Sequence, residues 1–164
     1  MTSWTSSARR KRRILKSSAP YSGGATARKG THAGPEYRLL IAPRFNDLGQ
    51  KFTTIVQLET VKTFASFQYE LSVRETLTKG SIHLKVLGLR TPQLSLPATG
   101  HARFMKEFQD LKGTYSVTVE GLDGKANTFQ VRIAQTQVKV LASPGHPFIE
   151  VITDQIAWSE QGHQ

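Results

Sequence analysis

Hydrophobic and polar residues alternate along most of the chain beyond residue 36. Tyr115, Val117 and Val119 alternate with Ser116, Thr118 and Glu120, and after a gap Phe129, Val131 and Ile133 alternate with Thr128, Gln130 and Arg132. A period of two in β-branched and aromatic residues predicts two strands, each with one apolar face. Gly121-Leu122-Asp123-Gly124-Lys125 lies between them and carries a turn signal. A two-residue Asp123-Gly124 turn would oppose Val119 to Thr128, apolar against polar. A three-residue loop, Leu122 to Gly124 with Gly124 at positive φ, opposes Val117 to Phe129 and Tyr115 to Val131. The second register is expected.

The same reading extends in both directions. Tyr37 to Ala42 predicts a first strand closed by Pro43. Phe52 to Val61 predicts a second, with Phe52, Thr54, Val56 and Leu58 on one face. Phe67, Tyr69, Leu71 and Val73 alternate with polar residues, as do Ile82, Leu84 and Val86. A four-residue loop, Thr76 to Lys79, would pair Val73 with Ile82, Leu71 with Leu84 and Tyr69 with Val86. Thr91 to Gly100, with Pro92 and Pro97, predicts a loop or crossing segment. Residues 102–111 read two ways. Phe104, Phe108 and Leu111 fall at helical spacing, whereas the surrounding strands imply a strand, in which Lys106 breaks the alternation. Val138 and Val140 continue the ladder, Phe148 to Thr153 predicts a last short strand, and Trp158 is expected to cap an edge of the core.

Leu111-x-Gly113-x-Tyr115-x-Val117 resembles the corner that enters the sixth strand of immunoglobulin-like sandwiches, where a tyrosine follows a small residue and its hydroxyl returns to nearby backbone. The likeness covers about a dozen residues, and the absence of cysteine removes the inter-sheet disulfide of antibody-type domains. The resemblance implies an all-β fold, an immunoglobulin-like antiparallel β-sandwich of about seven or eight strands. The expected organisation is a low-complexity N-terminal tail over 1–35, a sandwich domain over 36–158 and a short C-terminal tail over 159–164.

Charge changes this picture. The formal charge is +10, yet residues 1–35 hold 8 of the 22 basic residues and no acid, leaving 14 against 12, or +2, for the rest. A segment so poor in apolar residues cannot offset chain entropy by burial, so a disordered or extended tail is expected on its own. Within it, Arg9, Arg10, Lys11, Arg12, Arg13 and Lys16 form a dense basic cluster, followed by Arg28 and Lys29, with Trp4 and Tyr21 flanking. Five consecutive basic residues can neutralise several phosphates by counterion release, which gives tight, salt-sensitive, sequence-independent binding. The eight basic residues between 8 and 29 are therefore the candidate polyanion-binding site. Nucleic acid is the first partner to consider, with an anionic membrane face or acidic protein subunits as the alternative.

No run of about 18 apolar residues exists to span a membrane. The start lacks the apolar segment of a secretory signal, so the cytoplasm or an assembled particle is expected; its acid-free, Ser- and Arg-rich composition is also similar to that of an organelle transit peptide. Catalysis finds little support. None of His32, His83, His101, His146 and His163 has the short spacing to a second histidine or carboxylate that a metal site needs. Glu70 and Glu120 occupy outward strand positions suited to cross-strand ion pairs, and Asp123 belongs to turn chemistry. No nucleophile elbow, P-loop or dinucleotide-binding glycine pattern occurs. The expectation is a protein that is not an enzyme and takes no cofactor or metal: a structural component that docks protein through the sandwich and a ribonucleoprotein or virion polyanion through the tail. An accessory subunit of a membrane-associated complex is the alternative. A small-molecule or carbohydrate-binding sandwich using the loop Thr91 to His101 is a third reading.

Overall fold

The structure is a computed structural model, and it describes residues 34–93 and 97–161. These residues form β1 (Tyr37–Asn46), β2 (Lys51–Phe64), β3 (Glu70–Thr78), β4 (Ser81–Arg90), β5 (Gly100–Gln109), β6 (Gly113–Glu120), β7 (Ala126–Ile133), β8 (Val138–Ala142), β9 (Ile149–Ile152) and one short helix, α1 (Gln155–Gln161). Residues 102–109 are thus strand, as their context implied.

All nine strands join one sheet in the order β8-β7-β6-β4-β3-β5-β2-β1-β9. Five strands, β8 to β3, make one half and four, β5 to β9, the other. A single register pair, Glu70 with Arg103, joins the halves. The sheet curls strongly, so that the inner faces of both halves enclose the same core. Leu39, Ile41, Val56 and Leu58 enter it from the four-strand half, and Ile82, Leu84, Val117, Val119, Phe129 and Val131 from the other, all of them buried. At about 1.5–3 kcal/mol for each large apolar side chain withdrawn from water, this interior is the main source of stability. In β7 the alternation expected from sequence is complete, with every second residue buried from Asn127 to Ile133.

The all-β expectation holds and the curled arrangement is compatible with a sandwich, but two features correct the finer prediction. There are nine strands among the described residues, and the sheet is mixed: β1 with β9, β3 with β5 and β4 with β6 run parallel. The β4–β6 pairing has a topological cause. The chain leaves β4, crosses to the other half as β5, and returns through Asp110 and Lys112 to lie beside β4. Two crossings restore its direction. The Tyr115 side chain packs against the core, but its hydroxyl makes no hydrogen bond to a described residue, so the corner lacks the bond that the resemblance implied.

The β6–β7 hairpin has the expected register, Val117 with Phe129 and Tyr115 with Val131. Gly124 sits at φ 80°, and Gly121 N donates to the Lys125 carbonyl at 2.8 Å to close the loop. The β3–β4 hairpin does not match. Its loop is the two residues Lys79 and Gly80, so Leu77 faces Ile82, Glu75 faces Leu84 and Val73 faces Val86. Gly80 at φ 82° supplies a tight turn that the alternation could not reveal. A bulge between Ser72 and Val73 then lets Leu71 meet Leu89.

β1 also runs four residues past Ala42, through the stop expected at Pro43. Gln155 Nε2 donates to the Pro43 carbonyl at 3.0 Å, so that carbonyl points away from β2. The missing N–H of Pro43 therefore faces the side where β1 has no strand partner beyond Leu40, and no ladder bond is lost. α1 starts at Asp154, whose Oδ1 accepts from Ile156 N at 2.8 Å, a helix N-cap. Trp158 and Ala157 cover a second small cluster, Leu40, Ala42 and Ile152, on the outer face of β1 and β9. Trp158 thereby caps that outer cluster and leaves the main core alone.

Candidate functional site

The basic residues proposed from sequence, Arg9, Arg10, Lys11, Arg12, Arg13, Lys16, Arg28 and Lys29, lie outside the described residues. Within the described residues the sheet assembles two other features, which meet at the join between its halves.

The first is a row of alternating charge across six adjacent strands. Glu150 of β9 lies opposite Arg38 of β1 and Arg38 opposite Glu59 of β2. Glu59 lies opposite Arg103 of β5, Arg103 opposite Glu70 of β3, and Glu70 opposite Arg90 of β4. Cross-strand neighbours of opposite sign attract at this spacing. Arg38 forms an ion pair with Glu59, Arg103 Nε lies 3.0 Å from the other Glu59 oxygen, and Arg90 Nε donates to Glu70 at 3.0 Å. The Glu59 side chain is only 2% exposed. A carboxylate so buried needs compensation, and two guanidiniums provide it.

Several polar atoms around this pair are matched donor to acceptor. The Thr60 carbonyl can only accept, so His101 donates to it from Nδ1 at 2.8 Å and leaves Nε2 to accept from Arg38 at 3.4 Å. Thr60 Oγ1 accepts from Ala102 N at 3.0 Å. The Arg38 guanidinium also stacks 5.5 Å over the Trp158 ring, which ties α1 to the row. Here β2 and β5 change register between Glu59 and Thr63, and the irregularity is what lets His101 turn back to Thr60.

The second feature is the seam. β3 and β5 share one rung, Glu70 with Arg103, with Arg103 N donating to the Tyr69 carbonyl at 3.2 Å. Beyond it the strands diverge around an open groove of about 940 Å³, lined among others by Tyr69, Leu71, Glu75, Phe104, Met105 and Lys106. Lys106 and Glu75 occupy inward-facing positions, opposite Val56 and Leu84 respectively, and they meet across the groove at 2.9 Å. The hydrogen bond from Lys106 holds the Glu75 carboxyl below its ordinary range. Lys106 was the residue that broke the strand alternation, and the seam is why it is there. Inward-pointing charges are one of the devices by which sheet edges resist unwanted pairing. Pro92 and Ala98, from the loop proposed as a small-molecule site, reach the wall of this groove, and Thr91, Pro92 and Gln93 line a smaller cavity of about 330 Å³ beside Glu70 and Arg90.

The remaining candidates fall as follows. Glu120 forms the expected outward ion pair, with Lys85 at 2.6 Å, and His83 Nε2 lies 3.4 Å away. Asp123 holds the β6–β7 turn by accepting from Lys125 N at 3.1 Å. His146 lies in the loop before β9. Among the described residues, no group of three or more histidines and carboxylates converges as a metal site would require, and no helix is long and apolar enough to cross a membrane. Of the six charges of the row, Glu70 was read from sequence as a cross-strand partner and pairs with Arg90; the other five were missed because each lies in a different strand, and only the register brings them into line.

Fold and site together define a class: an all-β chain with one mixed, curled sheet, a charge row on its outer face that is buried at Arg38 and Glu59, and a split between its halves. Comparison with protein-family models, with curated proteins and with solved structures finds no match.

Proposed function

We propose that this chain is a non-enzymatic binding component of a larger assembly, in the cytoplasm or within an assembled particle. Its basic N-terminal segment contacts a polyanion, nucleic acid foremost, and its curled sheet docks to protein. One observation carries the reading, the partition of charge: 8 basic residues and no acid in residues 1–35, against 14 basic and 12 acidic residues in the remainder. The pairing of charges within the sheet supports it, because the row and the seam match their charges internally and most of the net charge falls to the N-terminal segment. The end strands of the sheet, β8 and β9, support the protein-docking part, since strand edges are places where a partner's extended segment adds main-chain hydrogen bonds. Kinship with immunoglobulin-like modules belongs to the same proposal and rests on the corner from Leu111 to Val117.

The test replaces Arg9, Arg10, Lys11, Arg12 and Arg13 with Gln and measures binding to structured RNA and to duplex DNA over a range of salt. Each lost phosphate contact removes about 0.7–0.9 from the slope of log affinity against log salt. A slope shallower by about 3 or more is expected; an unchanged affinity and slope would overturn the proposal. Flotation with anionic vesicles at matched salt tests the membrane alternative, which requires binding to anionic lipid in preference to RNA.

A further inference from the structure

The alternation that fills the core also sets the outer face of the five-strand half. Ile82, Leu84, Val117, Val119, Phe129 and Val131 point inward and are buried, so the residues between them point outward. Across β3, β4, β6, β7 and β8 these outward positions carry Arg74, Lys85, Arg90, Arg132 and Lys139 against two acids, Glu70 and Glu120. The rest of residues 36–164 holds 9 basic and 10 acidic residues. The small positive charge that remains after residue 35 is therefore gathered on this one face.

The register concentrates the charge further. Arg74 lies directly opposite Lys85, and Arg132 directly opposite Lys139. Like charges opposite one another in a sheet are destabilising, yet two such doublets stand at opposite corners of this face. The acids answer only part of it. Arg90 pairs with Glu70, and Lys85 pairs with Glu120 at 2.6 Å, with His83 Nε2 3.4 Å from the other Glu120 oxygen. Arg74, Arg132 and Lys139 are exposed and form no ion pair with a described residue. Between the doublets lie Thr76, Ser116, Thr118, Thr128 and Gln130, short neutral groups of the kind that donate to phosphate oxygens. No Phe, Tyr or Trp points outward from these five strands among the described residues; Tyr115 and Phe129 both pack on the core.

We propose that this face takes the phosphate backbone of duplex nucleic acid, its two cationic doublets on the phosphates to either side of one groove. The inference rests on the reading of the chain as a polyanion-binding component and adds a second surface to it. Single-strand binders use a charged groove with rings on which bases stack. This face is the outside of a curled sheet, hence convex, and offers no such platform. Glu120 of β6 lies beside Lys85 and Thr114 of β6 lies opposite Arg132, so the doublets stand about 20 Å apart along the strands. That exceeds the width of a B-form major groove, about 12 Å. Guanidinium, ammonium and hydroxyl groups on phosphates read no bases, so the binding is independent of sequence.

The test measures binding of a mixed-sequence RNA duplex, a DNA duplex and their single strands over a range of salt. It uses the full chain with Arg9 to Arg13 changed to Gln, so that the face is read without the N-terminal cluster. Duplex is expected to bind more tightly than single strand. Changing Arg74, Arg132 and Lys139 together to Gln is expected to weaken duplex binding at least about tenfold at low salt. The slope of log affinity against log salt should become shallower by about 2–3. Changing Arg44, Lys51 and Lys62 of the β1–β2 hairpin to Gln removes equal charge and is expected to leave affinity and slope nearly unchanged. All six side chains are exposed. Loss of the doublets is expected to leave the melting temperature level or raise it, since like-charge repulsion is relieved. No duplex binding in this background, an unchanged slope in the face variant, or equal losses in the two triple variants would each overturn the proposal. So would tighter binding to single strand, or a preference for anionic vesicles at matched salt. The N-terminal reading is judged by the Arg9 to Arg13 change in an otherwise native chain, so either reading can fail while the other stands.

Discussion

Glu59 is a carboxylate held in a place that only its neighbours make tolerable. Its side chain is 2% exposed, and Arg38 and Arg103 reach its two oxygens from the strands on either side. Removing Arg38 leaves the buried carboxylate with only the half-exposed Arg103, and under-compensating a buried charge costs more than the pair itself contributes. Arg38→Met is therefore expected to destabilise the fold by about 3 kcal/mol, read as a lower urea midpoint at unchanged slope. The double variant Arg38→Met with Glu59→Leu is expected to recover most of that loss, because the two apolar groups need no compensation. No pattern in the sequence announces Glu59. It follows Leu58 and precedes Thr60 in an otherwise ordinary strand, and its burial depends on Arg38 and Trp158, which are distant along the chain.

The turns decide which parts of each strand's pairing were readable. Between β6 and β7, matching the apolar faces selected one loop, and Gly124 supplied the positive φ it needs. Between β3 and β4 the same matching chose the wrong register, because inward positions of β3 near the seam carry Glu75 and a half-exposed Leu77 in place of buried apolar groups. Apolar matching works only where both partners face a closed core. Lys106 and Glu75 should then be valued for what they prevent. Both are partly exposed, so their attraction is worth at most about 1 kcal/mol. Replacing both with Val is expected to leave the melting temperature nearly unchanged but to produce self-association, seen as higher-mass species in sedimentation, because the seam becomes an apolar edge. A double variant that stays monomeric at high concentration would show that the charges do not guard the seam.

For the whole molecule, acid is a useful probe. Hydrogen bonds from Lys106 to Glu75, from Thr53 to Glu107, from Lys85 to Glu120 and from Lys125 to Asp123 each hold a carboxyl below its ordinary range. In all four the folded state binds the proton less readily than the unfolded chain. Their contribution is complete above the ordinary carboxylate range and is lost as pH falls through the depressed folded values. Urea midpoints should therefore be level near neutrality and decline only on acidification below that range, with the decline blunted by salt because these groups are exposed. A midpoint that falls between pH 7 and 6 would contradict this account. At this scale the all-β class and most strands could be read from alternation. The sheet order could not, since parallel neighbours such as β4 and β6 are set by where the chain crosses between halves, which local patterning does not encode.

The parallel pairing of β1 with β9 has a consequence for how the protein is made. Tyr37 lies beside Ile149, so β1 leaves the ribosome well before the strand it pairs with. At about 5–20 residues per second the intervening stretch takes on the order of ten seconds to synthesise. During that interval one edge of β1 is bare, Leu40 and Ala42 lack Ile152 and Trp158, and Arg38 lacks the ring that stacks on it. A chain interrupted before Ile149 would keep its hairpins and yet offer this edge to any passing strand, so truncated products are expected to be held by chaperones or to aggregate where the finished chain does not.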